Sequence, residues 1–197
     1  MPDALGTAVT NTDPNSCVTV QSGRLCKPWR LSTDGYTFMA VLESGIVNGT
    51  YQGKRVVDGF IVQVYDDGYG IPTVGFGHKI LPKDDLRIGE IISAERARSF
   101  FEINLQPIED AINSDVWVLL YQYEYDALVS VLFNTGPNRK SSDPWSGTRS
   151  KYLASFLNHG EYNRMGDVIH SFIAQRVPWR RRLEARLFIT GIYDARH

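Results

Sequence analysis

Between Tyr65 and His78 the chain reads Tyr-Asp-Asp-Gly-Tyr-Gly-Ile-Pro-Thr-Val-Gly-Phe-Gly-His. Two adjacent carboxylates, a hydroxyl and an imidazole stand among glycines at 68, 70, 75 and 77. Glycine allows φ > 0 and lets the backbone come close to a ligand, so this stretch can hold polar side chains in place as a binding loop does. Metal chemistry is not expected: the other histidines are His159, His170 and His197, and none forms a ligand pair with His78 at short spacing. His78 reads instead as a hydrogen-bonding group within the hairpin and the lobe interface. A further carboxylate, Glu43, falls in the last turn of a predicted helix, where it opposes the helix dipole. A cation is therefore expected near it.

The elements that must position these groups follow from patterning. Ser32-Thr-Asp is N-cap material, Phe38, Val41 and Leu42 lie at helical spacing, and Gly45 is a stop. Asn48-Gly49 and Gln52-Gly53 signal turns, and Phe60 to Tyr65 reads as a strand entering the glycine-rich stretch. The alternation from Thr73 to Phe76 gives the second strand of a small hairpin, with Asp66, Asp67 and Thr73 at its turn and edge. A helix starts after Ser93, and Pro107 is expected to kink or restart it. Tyr125, Leu128, Val129, Leu132 and Phe133 mark a buried helix over about Tyr121 to Phe133. A polar loop then runs from Asn134 to Thr148, in which Asn134 and Trp145 are able to contact sugar; loops carry function more often than cores, although a variable surface insertion is the plainer reading beyond Asn138. Helical segments are expected near Lys151 to Leu157, Tyr162 to Ala174 and Pro178 to Gly191. Leu183, Ala185, Leu187 and Phe188 interleave the arginines of the last one, so one basic and one buried face is the better reading, and nucleic acid is not an expected partner.

A chain of 197 residues with 43% hydrophobic content can bury a core, as one domain or a domain of two lobes. No run of apolar residues is long enough to span a membrane. The first residues, Met-Pro-Asp-Ala-Leu-Gly, lack the basic and apolar regions of a Sec signal, so synthesis in the cytoplasm and export by another route are expected. Residues 1–138 carry 10 Lys and Arg against 17 Asp and Glu, whereas 139–197 carry 11 against 5. That segregation could draw an anionic polymer to one side of a cleft, or simply reflect solvated surface and internal pairing. Cys17 and Cys26 flank a Ser-Gly turn in an N-terminal extension without helical periodicity; a disulfide and two free thiols are both open readings.

Glu43 at a helix end, then a hairpin with Tyr65, Asp67, Gly70, Thr73, Gly75, Gly77 and His78, resembles the phage-type lysozymes of glycoside hydrolase family 24, whose hairpin motif is DxxGxxTxGxGH. Phe133-Asn134-x-Gly136 is similar to the family's FNxG, and Pro178-x-Arg180-Arg181 with Glu184 to its C-terminal arginine helix. Together the likenesses span about residues 32 to 193.

The resemblance implies an α+β, lysozyme-like fold: an extension over 1–31, a small β-containing lobe over about 32–92, a connecting helix over about 93–113 and a helical lobe over about 114–197, with peptidoglycan glycan bound between the lobes. It implies hydrolysis of the β-1,4 bond between N-acetylmuramic acid and N-acetylglucosamine without a cofactor, by a monomer. Carried over, Glu43 is the general acid; Asp67 positions or deprotonates the water or stabilises positive charge on the sugar; Thr73 helps hold that water, and Arg180 pairs with Glu43. Such pairing favours the ionised carboxylate, so substrate binding must raise its proton affinity. Asn134, Tyr65, Gly70 and His78 support or bind substrate. Two carboxyl groups flanking the bond are what glycoside cleavage needs.

This sequence departs from the family in three ways. The segment between Glu43 and Asp67 is long, so an extra turn or strand must occupy 46 to 60. Asp66 adjoins Asp67, and motif spacing selects Asp67. The N-terminal extension and the 138–149 segment have no counterpart, and are read as adaptations to a delivery system, an inhibitor or an immunity protein. The expected setting is a phage endolysin released by a holin or an antibacterial effector delivered to a rival's periplasm. A non-catalytic glycan-binding module and a lytic transglycosylase are the alternatives.

Overall fold

The structure is a computed structural model and describes residues 23–195. Cys17, and with it the Cys17–Cys26 pairing, lies outside the described residues, while Cys26 is exposed. By its contacts the chain divides into two units, a β-sheet unit formed by 32–108 with 193–195 and a helical unit formed by 23–31 with Glu109–Ile192.

The β-sheet unit opens with α1 (Thr33–Ser44), started by the Ser32 hydroxyl accepting from the Gly35 amide and ended by Gly45 at φ 74. The sheet that follows is an antiparallel meander of β1 (Gly49–Tyr51), β2 (Lys54–Val57), β3 (Phe60–Asp66), β4 (Pro72–Gly75) and β5 (His78–Lys79). Its inner strands run from Val57 opposite Phe60 to Tyr65 opposite Thr73. The extra structure expected over 46 to 60 is the β1–β2 hairpin. Gln52-Gly53 makes its turn with both residues at positive φ, as a two-residue hairpin turn with matching twist requires. Asn48-Gly49, expected as a turn, instead leads into β1; the second turn falls at Asp58-Gly59, whose Asp58 amide is braced by the Asn48 side chain at 2.9 Å. Gly59 is needed there, since a Cβ on it would lie 2.4 Å from the Ala40 Cβ of α1.

The core of this unit is aromatic. Phe60 and Phe76 centroids are 4.8 Å apart, Phe76 and Phe101 5.1 Å, and Tyr36 stacks on Phe76 at 5.6 Å. Each such pair adds about 0.5–1.5 kcal/mol beyond its buried area. Residues 89–92 run along β3, with Val64 donating to the Glu90 carbonyl and Ile92 to the Val62 carbonyl. Then α2 (Ala94–Asp115) begins, its first turn capped by Ser93. The restart expected at Pro107 does not occur: α2 continues through it. Proline removes one bond, to the Ile103 carbonyl, and Ile103 lies on the exposed side of the helix, where the lost bond costs least.

In the helical unit α3 (Gln122–Thr135) is buried over nearly its whole length, with Tyr125, Ala127, Leu128, Val129, Val131 and Leu132 all inside. An all-round buried helix needs neighbours on every side. After α4 (Arg149–Asn158), a 3-10 turn (Tyr162–Arg164) and α5 (Met165–Ser171), the chain supplies α6 (Pro178–Thr190), which packs along α3 and is backed in turn by α5. The helix expected over Tyr162 to Ala174 thus ends at Ser171. Residues 23–31 belong to this unit because Arg24 is clamped: its guanidinium lies 4.5 and 4.3 Å from the Tyr121 and Tyr162 ring centroids and donates to Glu124 at 3.0 Å.

Candidate active site

The hairpin turn is built by its own carboxylates. Asp66, the last residue of β3, accepts at Oδ1 from the Gly68 and Gly70 amides, at 2.7 and 3.0 Å. Asp67 accepts at Oδ1 from the Tyr69 and Ile71 amides, at 2.9 and 3.3 Å, and its own amide donates to the Ile71 carbonyl. Alternate amides therefore point to alternate carboxylates, and Gly68 and Gly70 supply the positive φ angles, 89° and 78°, that this path demands. Both carboxylates fold back on the turn; exposure separates them, with Asp66 exposed and Asp67 half-buried. Across from Tyr65, the buried Thr73 hydroxyl donates to the Ile71 carbonyl at 3.1 Å and keeps lone pairs to accept from another group.

Glu43 stands in the last turn of α1, where no basic residue follows. Its place relative to the turn shows in Tyr65. Burial pushes the Tyr65 phenol up, and the Glu43 and Asp67 carboxylates push it further, as negative charge close to a forming phenolate must. Both carboxylates therefore act on the Tyr65 phenol through their charge. A cation reaches the same ring: Lys54 of β2 has its Nζ 4.8 Å from the Tyr65 centroid. Lys54 was not legible as a site residue, since it follows a turn signal at an unremarkable position; the signal that could have found it is the unusually long segment between Glu43 and Asp67.

His78 is hydrogen-bonded, but to residues outside the hairpin in which its partners were expected. Nε2 lies 3.2 Å from Asp84 Oδ2, Nδ1 lies 3.2 Å from the Asn104 amide nitrogen, and the ring stacks on Phe100 at 4.2 Å. These partners all belong to the β-sheet unit. Asp84 also accepts from the Leu81 amide at 2.8 Å; burial raises its carboxyl, but the Leu81 amide and His78 outweigh that and hold it below its ordinary value.

The remaining predicted residues lie in the helical unit. Asn134 is in the last turn of α3 and not in the loop after it. The helix runs on through Thr135 because Gly136, at φ 80, is what ends it. Asn134 Oδ1 accepts from Arg181 at 2.5 Å. The arginine run does not form one basic face either: Arg180 and Arg181 are buried, and Arg182 and Arg186 are exposed. Burial of two guanidiniums is tolerated because Glu184, itself 0% exposed, faces them. It accepts at Oε1 from Arg180 at 2.9 Å and from the Ser130 hydroxyl at 2.7 Å, and at Oε2 from Arg181. Arg181 Nε also donates to the Phe172 carbonyl. Beyond Asn138 the loop is pinned: Asp143 takes two 2.8 Å bonds from Arg149, and Trp145 stacks on Tyr152 at 4.1 Å. Trp145 thus has one face against the protein, and a segment that otherwise lies mostly at the surface, as expected, is anchored at these two points.

Residues 55–179 match the phage lysozyme family. The endolysin of Salmonella phage P22 is 41% identical over 90 residues, which cover 45% of this chain and 61% of that protein, less than two thirds of it. An endolysin from Acyrthosiphon pisum secondary endosymbiont phage 1 is 32% identical over 126 residues, 64% of this chain and 74% of its own. Among solved structures, the endolysin from Escherichia coli O157:H7 phage FAHEc1 superposes with a TM-score of 0.64 at 21% identity, over 86% of this chain and 99% of its own. That likeness bears on the fold, which is the expected α+β, lysozyme-like one.

Proposed function

Since the chain belongs to the phage lysozyme family, we propose that it is a muramidase that hydrolyses the β-1,4 bond between N-acetylmuramic acid and N-acetylglucosamine in peptidoglycan. The observation that carries this reading is a pair of half-buried carboxylates on different elements, Glu43 at the end of α1 and Asp67 held in the hairpin turn by two amides, whose charges both act on the half-buried Tyr65 phenol. Glycoside cleavage asks for one carboxyl group to protonate the leaving oxygen and another to act on the far side of the sugar. Glu43 takes the first role and Asp67 the second. Asp67 suits it because turn amides fix one oxygen, while among the described residues Oδ2 has no hydrogen-bond partner. Thr73 is the proposed holder of the water. Arg180 and Asn134 are supporting residues whose described bonds tie α6 to α3.

Mass spectrometry of peptidoglycan digested by the purified chain tests the proposal. Reducing muramic acid ends are expected. Anhydro-muramic ends would establish a lytic transglycosylase instead, and intact glycan that nevertheless binds the protein would establish a binding module.

The cell wall is the proposed place of action. No helix among the described residues is long and apolar enough to cross a membrane, so delivery through a holin lesion or a secretion system fits the same reading. Expression in a Gram-negative host with and without a co-expressed holin separates the two: lysis only with the holin supports the endolysin setting, and killing of neighbouring cells without it supports the effector setting. In the effector setting an immunity protein in the producer is expected; survival of producers lacking any such protector would remove that partner.

A further inference from the structure

Tyr69 sits at the tip of the hairpin turn, one residue from either glycine, and is 84% exposed. Exposure alone says little, since single apolar groups on a surface are ordinary; Trp117 in the helical unit is 78% exposed. Tyr69 differs in how it is held. Its amide donates to Asp67 Oδ1 at 2.9 Å, and the amides on both sides of it donate to Asp66 Oδ1. With the Ile71 amide also on Asp67, four backbone bonds to two carboxylates fix a tip that carries one large ring.

The surroundings of that ring are kept clear. A Cβ added at Gly68 or at Gly70 would meet nothing within 4 Å, so the backbone on either side of Tyr69 is uncrowded, and the ring itself is almost wholly open to solvent. Among the described residues Tyr69 has no aromatic or cationic partner, in contrast to Tyr65 under Lys54 and Tyr36 in the aromatic core. A rigid, amphipathic ring with two free χ angles offers contact area at low entropic cost. The C–H faces of a pyranose are apolar and its hydroxyls lie at the rim, which matches a phenol ring with a polar tip.

We infer that Tyr69 is a substrate-binding platform, on which an N-acetylhexosamine ring of the glycan strand stacks next to Asp67. The inference rests on the muramidase reading for the identity of the glycan, and on the turn geometry for the contact. Tyr69 takes no part in bond making or breaking; it holds a sugar in register with the carboxylate bonded to its own amide.

The test is steady-state kinetics of the full chain on soluble peptidoglycan strands, with Tyr69→Ala, Tyr69→Leu, Tyr69→Phe and Tyr69→Trp. A lost ground-state contact raises KM by about fivefold to tenfold for the alanine variant and leaves kcat within about twofold. Leucine behaves like alanine, while phenylalanine and tryptophan keep the parental KM; thermal midpoints of all four match the parent. An unchanged KM for alanine, or leucine matching phenylalanine, overturns the inference. A second arm removes turnover: in a Glu43→Gln background, co-sedimentation with purified sacculi drops severalfold on Tyr69→Ala. If the parent releases no new ends the muramidase reading fails, and this arm still decides whether Tyr69 holds glycan: equal retention of the two proteins overturns the inference.

Discussion

Two sets of carboxylates invite comparison, those of the hairpin turn with Glu43 in the β-sheet unit and Glu184 in the helical unit. Glu184 has both oxygens occupied by Arg180, Arg181 and Ser130 and no exposure at all. Asp67 is half-buried and has one oxygen on turn amides, and Glu43 is half-buried at a helix end. A carboxylate whose lone pairs are all matched by buried donors has no capacity to exchange a proton with a ligand, and its removal leaves uncompensated cations. A carboxylate that is partly wet, held at one oxygen and near another negative group can do chemistry, and its removal costs little structure. Saturation of the acceptor atoms, more than charge, therefore separates Glu184 from Asp67.

The widest split between the two sets is expected in activity. Glu43→Gln and Asp67→Asn keep shape and remove the ionisable group, so lysis of permeabilised Gram-negative cells falls by about 10²–10⁴-fold, the range of general acid–base catalysis, while the thermal midpoint stays near the parent's. A Glu43→Gln protein that lyses cells as well as the parent would falsify the acid assignment. Glu184→Gln moves the other observable: breaking a buried ion pair costs about 3–5 kcal/mol of stability, read as a lower urea midpoint. If that variant kept parental stability, the saturation argument would lose its structural half.

Asp143 sharpens the comparison through pH. The hydrogen bonds from Arg149 hold its carboxyl below its ordinary value, against burial. A depressed folded pKa means the stabilisation is fully present above the unfolded value, near 3.8, and disappears as pH falls through the folded one. Asp143→Asn thus costs about 2–3 kcal/mol at pH 7, as loss of hydrogen bonds to a charged group does, and the gap to the parent narrows in acid. Urea unfolding at pH 7 and at pH 3 measures it; a gap that is the same at both rejects the ionised pair. Asp84 in the β-sheet unit follows the same sign.

Much of this architecture was legible because local physics and tertiary packing agree. Ser32, Gly45, Pro178 and Gly191 mark helix ends that the structure keeps, and four glycines in one hairpin take the positive φ they suggested. The failures lie where a partner far along the chain decides. By spacing alone Arg180 and Arg181 read as part of one basic helix face, and only the fold shows them buried on Glu184, which Ser130 also bonds. Asn134 was placed in a loop because polar residues follow it, yet α3 ends only at Gly136. Lys54 gained its place only through the fold of an extra hairpin, and Arg24 through two tyrosines distant in sequence. Side chains whose role is set by long-range neighbours carry no periodic signature of it.

The smallest expected effect is the most demanding for the comparison, because it concerns neighbours in one turn. Asp66 and Asp67 each accept two amides through one oxygen, so hydrogen bonding alone does not rank them. Tyr65 does: Asp67, not Asp66, is the turn carboxylate that raises its phenol alongside Glu43. Asp66→Asn keeps an acceptor at Oδ1 and removes only the charge that strengthened two bonds. With Asp66 exposed, the loss of stability is then about 1 kcal/mol or less, and lytic activity stays within about twofold of the parent. Comparable inactivation by Asp66→Asn and Asp67→Asn would show that the turn uses its two carboxylates as one electrostatic unit, and the distinction drawn between a held and an acting carboxylate would have to be moved from the residue to the whole turn.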